Sequence, residues 1–249
     1  MSRPLIVVPA RYGSERLKGK MLLTETGKPL VQHTWEACCE VPDADVLIAT
    51  DHDDIFQAAQ GFGADVVMTD HNHMSGTVRV AEAAQGRDAS MVINCQGDEP
   101  EVEPSNIQKL IDGHMAAMAE GGRTPFISTL ACPFPDDLDT NNPNTVKVVT
   151  TAKGGASEDA LYFSRSVMPF PRTRAHRPHM HIGLYGFAPD ALQRFAAMQP
   201  SELEKTESLE QLRALEAGER ICVMMVDRAS PGIDTREDYD AFVARQKAR

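Results

Sequence analysis

The stretch Leu5-Ile6-Val7-Val8-Pro9-Ala10, followed without a break by Arg11-Tyr12-Gly13-Ser14-Glu15-Arg16-Leu17-Lys18-Gly19-Lys20, decides how this chain folds. Its first half is a short apolar, β-branched run. Its second half is a loop that gathers Arg11, Ser14, Arg16, Lys18 and Lys20 around Gly13 and Gly19. Two more runs of the first kind follow, Asp45 to Thr50 and Ser90 to Cys95. Between and after them, Leu30 to Glu40 and Asp53 to Phe62 carry apolar residues at helical spacing, and Pro104 opens a predicted helix through Met118. Strands alternating with helices predict a largely parallel sheet covered on both faces, a Rossmann-like α/β nucleotide binder.

In such a sheet, ligands bind beyond the carboxyl ends of the strands, which is where the basic loop emerges. A triphosphate needs backbone N–H groups, a hydroxyl donor and flexible cations, and the loop offers all three. A solvated basic turn is the competing explanation, since charged residues are mostly exposed. The position directly after the first strand favours phosphate. The loop lacks GxxxxGK[ST] and GxGxxG, so kinase and dehydrogenase readings lose support.

Beyond about residue 125 the pattern changes. Strand-like runs at Phe126 to Phe134, Thr145 to Thr151, Ala160 to Arg165, His181 to Phe187 and Ile221 to Asp227 follow with few helices between them, so some should pair antiparallel. A Pro/Arg-rich loop spans Pro169 to His179, and a helix is predicted over Glu237 to Lys247. The segment Glu207 to Arg213 reads as an amphipathic helix, with Leu209 and Leu212 inward and Arg213 in a surface pair. We expect a single domain over 1–249, with a nucleotide-binding half (about 1–125) and an acceptor and dimerisation half (about 126–249).

The 249 residues carry a formal charge of −11, which disfavours nucleic acid as a partner while leaving room for a local basic pocket. No apolar stretch reaches the roughly 18 residues of a membrane span, and no cleavage-site pattern follows the first strand, so no membrane association and a cytoplasmic location are expected. The five cysteines include no CxxC and no zinc spacing, which predicts buried free thiols.

The loop Pro9 to Lys20 resembles the opening signature of the 3-deoxy-manno-octulosonate cytidylyltransferases, the CMP-Kdo synthetases. Further segments resemble that family in the same order: Ala49 to Asp51, Ser75 to Arg79, Asn94 to Pro100 and Asn142 to Val149. The similarity continues through Ala160 to Phe170, His181 to Phe187, Leu203 to Glu219 and Gly232 to Asp240, essentially the whole chain. The resemblance implies a nucleotide-diphospho-sugar transferase sandwich with a mixed, mostly parallel central sheet. It implies CTP and an eight-carbon acidic sugar as substrates, Mg²⁺ as cofactor and a homodimer.

Asp98 follows a strand and so sits at the sheet's carboxyl edge, where a carboxylate can hold Mg²⁺ against phosphate. The resemblance adds Asp234 as the second metal ligand and gives Arg11 and Lys20, with both aspartates, the catalytic roles. It implies that Arg11, Gly13, Ser14, Lys20 and Asp98 bind the nucleotide, with Gly76 and Arg79 enclosing its cytosine and ribose. Gln96, Arg165, His181, Tyr185, Glu210 and Gln211 are implied as the acid-sugar site. Lys18, Val78 and Met180 depart from the family's pattern, where a proline, an acidic and a basic residue are usual. A related substrate, 8-amino-Kdo or a sialic-like acid, is one alternative reading, and a non-catalytic nucleotide-binding module is the other.

Overall fold

The computed structural model describes residues 2–14, 16–73, 75–120, 123–151, 157–173 and 177–248. Residues 174–176 of the Pro/Arg-rich loop and Glu15 of the basic loop lie outside the described residues. The chain forms two compact units, Met1–Ile107 with Ser230–Arg249, and Gln108–Ala229. They divide the chain otherwise than the two expected halves: the first unit ends earlier, within a helix, and the chain's last segment rejoins it.

In the first unit, strands β1 (Leu5–Ala10), β2 (Asp45–Thr50), β3 (Asp65–Met68) and β4 (Val92–Asn94) lie in the order β3-β2-β1-β4, all parallel. Every residue of β1 is buried, as a central strand covered on both faces requires. Helices α1 (Leu30–Cys39), α2 (Asp53–Gly61) and α3 (Gly76–Ala84) connect the strands, and α4 (Pro104–Ala119) runs on into the second unit. The ladder between β1 and β4 continues past β4's end, with Cys95 N donating to Val7 O at 3.1 Å and Gly97 N to Pro9 O at 3.3 Å. The chain moves outward from β1 to β3 and then returns to β4 on the other side. The loops after β1 and β4 therefore open at a topological switch point, where such sheets place their ligands.

The second unit holds β5 (Ile127–Pro133), β6 (Lys147–Thr151), β7 (Glu158–Ser164), β8 (His179–Phe187) and β9 (Ile221–Met225). Their order is β8-β5-β9-β7-β6, and β6 also pairs with β8, so the five strands close on themselves. Only the β5–β9 pairing among these is parallel. Helices α5 (Pro189–Ala197), α6 (Glu202–Glu207) and α7 (Leu212–Glu216) follow β8, and α8 (Arg236–Lys247) returns to the first unit.

The predicted helix over Glu207 to Arg213 is a correction: it is a break between two helices. α6 ends at Glu207, and Ser208 turns to φ 52°. The Arg165 side chain draws the carbonyls of Glu207 and Ser208 to itself, at 2.6 and 3.2 Å, and so takes acceptors that a continuing helix would use. Leu209 and Leu212 do pack inward. Arg213 is not a surface pair but a buried one, bonded to Glu204 and to Met198 O at 3.1 Å, with its guanidinium 4.9 Å from the Phe195 ring. The five cysteines are free thiols, four buried as expected and Cys39 exposed.

Candidate active site

The loop after β1 is shaped by one left-handed glycine. Gly19, at φ 63°, starts a single 3-10 turn over Lys20–Leu22, a conformation that a side chain resists. This turn buries Lys20 to 6% exposure. Gly13, expected to contribute flexibility, has an ordinary backbone conformation, and a Cβ there would meet nothing within 4 Å.

Lys20 is the hub of a cleft of about 310 Å³. Its Nζ donates to Asp98 Oδ2, to Ile233 O at 2.8 Å and to Asp234 Oδ1 at 3.5 Å. Arg16 reaches Asp234 from the solvent side at 2.9 Å. Two segments far apart in the chain are sewn together here, because Ile233 N donates to Asp98 O at 2.9 Å. Gly97 permits the turn: a Cβ there would stand 2.8 Å from Pro9 O. Its carbonyl accepts from Thr34 Oγ1 at 2.9 Å, fixing the turn to α1. Burial, and then the Asp98 charge, push the Glu99 carboxyl up to about 8, so Glu99 is neutral near pH 7.

Asp234 is held by helix α8 through its start. Thr235 caps the helix, accepting from Asp238 N at 3.2 Å, while Asp238 accepts from Thr235 N and Asp234 N at 2.8 and 3.1 Å. The same helix buries Tyr239, Phe242 and Val243 against Leu30 and Ile233, with Leu17 of the basic loop and Leu23 just after the 3-10 turn packed on them. Packing thus holds the segments of both Lys20 and Asp234 against one helix.

Arg11, Ser14, Gly76 and Arg79, implied for the nucleotide, and Gln96, implied for the acid sugar, also line this cleft, and so do Arg16 and His73. Ser75 caps α3 with its hydroxyl on Val78 N at 3.3 Å, which brings the helix's amino end to the cleft wall. A Cβ on Gly76 would crowd Gln96 at 3.3 Å. Gln96 is steadied by Asn94 Oδ1 at 3.0 Å. Arg79 is 3% exposed, and its guanidinium is engaged with Asp51 at 2.7 Å, with Thr69 Oγ1 and with Asp70 O at 3.5 Å. Asp51 in turn accepts from Tyr12 N at 3.1 Å. In this structure Arg79 therefore braces the basic loop through Asp51 instead of presenting its donors to the cleft. Lys18 is exposed and outside the cleft lining, and Val78 lies in the first turn of α3.

Of the six residues implied for the acid sugar, Gln96 lies in the first unit and five lie in the second. There, Tyr185 Oη donates to Gln211 Oε1 at 3.1 Å, and the His181 and Tyr185 rings are 5.6 Å apart. Gln211 Nε2 is buried without a hydrogen-bond partner, an orphaned donor beside that tyrosine. His181 Nε2 is 2.9 Å from Thr129 Oγ1, which also lies 3.1 Å from Ile182 O and 2.9 Å from Leu184 O. A hydroxyl has one proton, and a carbonyl can only accept. Thr129 therefore donates to a carbonyl and accepts from His181 Nε2–H. Burial holds the ring down to about 3, so His181 is neutral, with Nδ1 left as an acceptor.

Arg165, implied for the acid-sugar site, is tied to backbone: Nε to Glu207 O at 2.6 Å, and its two terminal nitrogens to Pro143 O at 2.8 Å and Ser208 O at 3.2 Å. Glu207 completes the clasp by accepting from Arg165 N at 2.9 Å and Ser164 Oγ at 2.6 Å. The clasp holds the turn that leads to Glu210 and Gln211. Sequence reasoning did not single out Asp51, Thr129 or Glu207 for the site. A carboxylate closing the strand beside β1 was a usable signal for Asp51. A threonine inside an apolar strand gave none for Thr129.

Comparison with known proteins identifies the family of the chain. The chain is 41% identical, over 100% of its length and 99% of the relative's, to the 3-deoxy-manno-octulosonate cytidylyltransferase of Escherichia coli. It is 43% identical to the protein of that name from Chlorobaculum parvum, over 95% and 94% of the two lengths. The solved structure of CMP:2-keto-3-deoxy-manno-octonic acid synthetase complexed with CTP superposes with a TM-score of 0.91 at 38% identity, covering 99% of both chains. A nucleotidyl transferase from Methanothermobacter thermautotrophicus, 15% identical with a TM-score of 0.62, shares the fold. The sequence profile of the cytidylyltransferase family matches residues 5–221, and the chain belongs to that family.

Proposed function

We propose that the protein transfers CMP from CTP to 3-deoxy-D-manno-octulosonate, releasing pyrophosphate and forming CMP-Kdo for lipopolysaccharide assembly, and that it does so with Mg²⁺, in the cytoplasm and as a homodimer. The observation that carries the reaction is the convergence of Asp98 and Asp234 on one ammonium, in a cleft that also presents Arg11, Ser14 and Arg16.

Nucleotidyl transfer brings an anionic sugar to an anionic phosphate, so catalysis consists of neutralising charge and aligning an in-line displacement. Arg11, Arg16 and Lys20 suit the triphosphate. The sugar's anomeric hydroxyl forms a bond to the α-phosphorus as the bond to pyrophosphate breaks, and the hydroxyl proton passes to solvent water. Neutral His181, with Nδ1 as acceptor, and Tyr185, Gln211 and Glu210 suit the sugar's hydroxyl groups.

The residues present fit a magnesium ion. Two carboxylates already meet at one positive charge, and Mg²⁺ takes one or two carboxylates and completes its shell with phosphate and water. Among the described residues no larger acidic cage is formed. Asp98 and Asp234 would hold the ion, which when bound supplies charge neutralisation at the phosphate oxygens.

The test is incubation of the purified protein with CTP, Mg²⁺ and Kdo, 8-amino-Kdo or N-acetylneuraminate, with the sugar nucleotide read by mass. CMP-Kdo as the main product is expected. A clear preference for N-acetylneuraminate would overturn the substrate, and CTP uptake without turnover would overturn catalysis. Sedimentation of the same preparation tests the dimer.

A further inference from the structure

Lys20 occupies the position between Asp98 and Asp234 that a metal ligated by both would need. Its ammonium has three protons, and the structure gives each an acceptor: Asp98 Oδ2, Ile233 O and Asp234 Oδ1. The side chain is only 8% exposed, so water offers those protons little alternative. Asp234 also has Arg16 at 2.9 Å. Before nucleotide arrives, the two carboxylates thus face two cationic side chains, and a divalent ion entering there meets like charge at contact distance.

We propose that Lys20 is a resident counter-ion that keeps the Asp98–Asp234 site closed to free divalent metal, and that the triphosphate opens it by drawing the ammonium off Asp98. A nucleoside triphosphate carries enough negative charge to engage Lys20 and Arg16 together and leave the carboxylates for the ion it brings. Metal then enters with the nucleotide and not before it. This inference rests on the metal reading above. It adds an order of assembly, set by a side chain of the protein itself, which also spares the nucleotide-free site from idle ions.

The experiment measures Mn²⁺ bound to the whole protein by water-proton relaxation enhancement, with and without a CTP analogue bridged by methylene between the α- and β-phosphorus. Wild type without the analogue should bind Mn²⁺ on the order of tenfold or more weakly than Lys20→Met does. With the analogue, that disadvantage should vanish. Equal, tight uptake by free wild type and Lys20→Met overturns the proposal. Should Lys20→Met not fold, Lys20→Gln keeps a donor for Ile233 O without the charge and makes the same comparison. Acylation of Lys20 in wild type supplies a variant-free reading: Mn²⁺ alone should leave it protected, and exposure by Mn²⁺ alone counts against gating. If Asp98→Asn and Asp234→Asn leave Mn²⁺ uptake with the analogue unchanged, the metal reading itself fails and takes this inference with it.

Discussion

The hydroxyl of Tyr239 accepts a hydrogen bond from the backbone N–H of Glu25 at 3.1 Å, tying helix α8 to the turn just beyond Lys20. Arg236, one turn earlier, reaches Glu25 Oε1 at 3.0 Å. Tyr239→Phe keeps the ring and deletes the acceptor, so it should lower stability by about 1 kcal/mol. For a chain of this size that corresponds to a melting temperature lower by about 2–4 °C. Calorimetry checks it, and faster hydrogen exchange at the Glu25 amide should accompany the change. An unchanged melting temperature would show the bond to be idle.

Asp98→Asn and Asp234→Asn should each abolish most turnover with the fold intact. Removing a residue that only supports a metal ligand already costs about 10–100-fold in affinity or activity, and loss of a direct carboxylate should exceed that. Product formation across a Mg²⁺ titration, with circular dichroism as the control, gives the answer. Near-normal rates at low Mg²⁺ in either folded variant would remove that residue from the site.

Two glycines in the site should behave in opposite ways. Gly97→Ala forces a Cβ to 2.8 Å from Pro9 O, a backbone atom that cannot swing aside. The strain should cost about 1–3 kcal/mol and displace Asp98. Gly13→Ala meets no atom within 4 Å and needs no unusual backbone angle. It should be neutral or stabilising by about 0.4–1 kcal/mol. Urea midpoints of the two variants side by side decide, and equal effects would contradict the close packing at Gly97.

Arg165→Lys should raise KM for the acid sugar about tenfold while leaving KM for CTP near its original value. One ammonium cannot replace a guanidinium whose nitrogens reach three carbonyls, so the turn before Glu210 and Gln211 should loosen. Steady-state kinetics with each substrate varied in turn test this. A loss confined to KM for CTP would contradict the positioning role.

His114 should make stability depend on acidity. It is 1% exposed beside Ser128 Oγ at 2.8 Å, and burial holds its ring down from 6.5 to about 4. As pH falls below 6.5 the unfolded chain takes up a proton that the folded ring still refuses, so stability drops until about pH 4, where the folded ring protonates too. The slope from one such group reaches at most about 1.4 kcal/mol per pH unit. Guanidinium midpoints at about pH 7 and about pH 5 should converge in His114→Gln relative to wild type. An identical pH slope in the variant would acquit this histidine.

Local features of the fold were legible because local chemistry determines them. The bounds of β1 and β2 coincide with their apolar runs, and α4 begins at the expected proline. The position of Asp98 in the cleft was legible from its place after a strand. What escaped is non-local. The break at Ser208 depends on Arg165, which lies in a different strand-to-loop junction far along the chain. Arg79 looks from sequence like an available cation on a helix, and only the position of β2 beside β1 shows that Asp51 claims it. The burial of Lys20 between two carboxylates required both ends of the chain to be in place at once.

Lys20 and Asp234 stand 214 positions apart. Ser230–Arg249 joins the first unit only after Gln108–Ala229 has been synthesised. On the ribosome, the basic loop and Asp98 therefore leave the exit tunnel long before Asp234 exists. A nascent chain halted anywhere within the second unit holds a basic loop and one aspartate, but not the pair. The buried ammonium of Lys20 thus gains its second carboxylate only when translation has passed through the whole of the second unit.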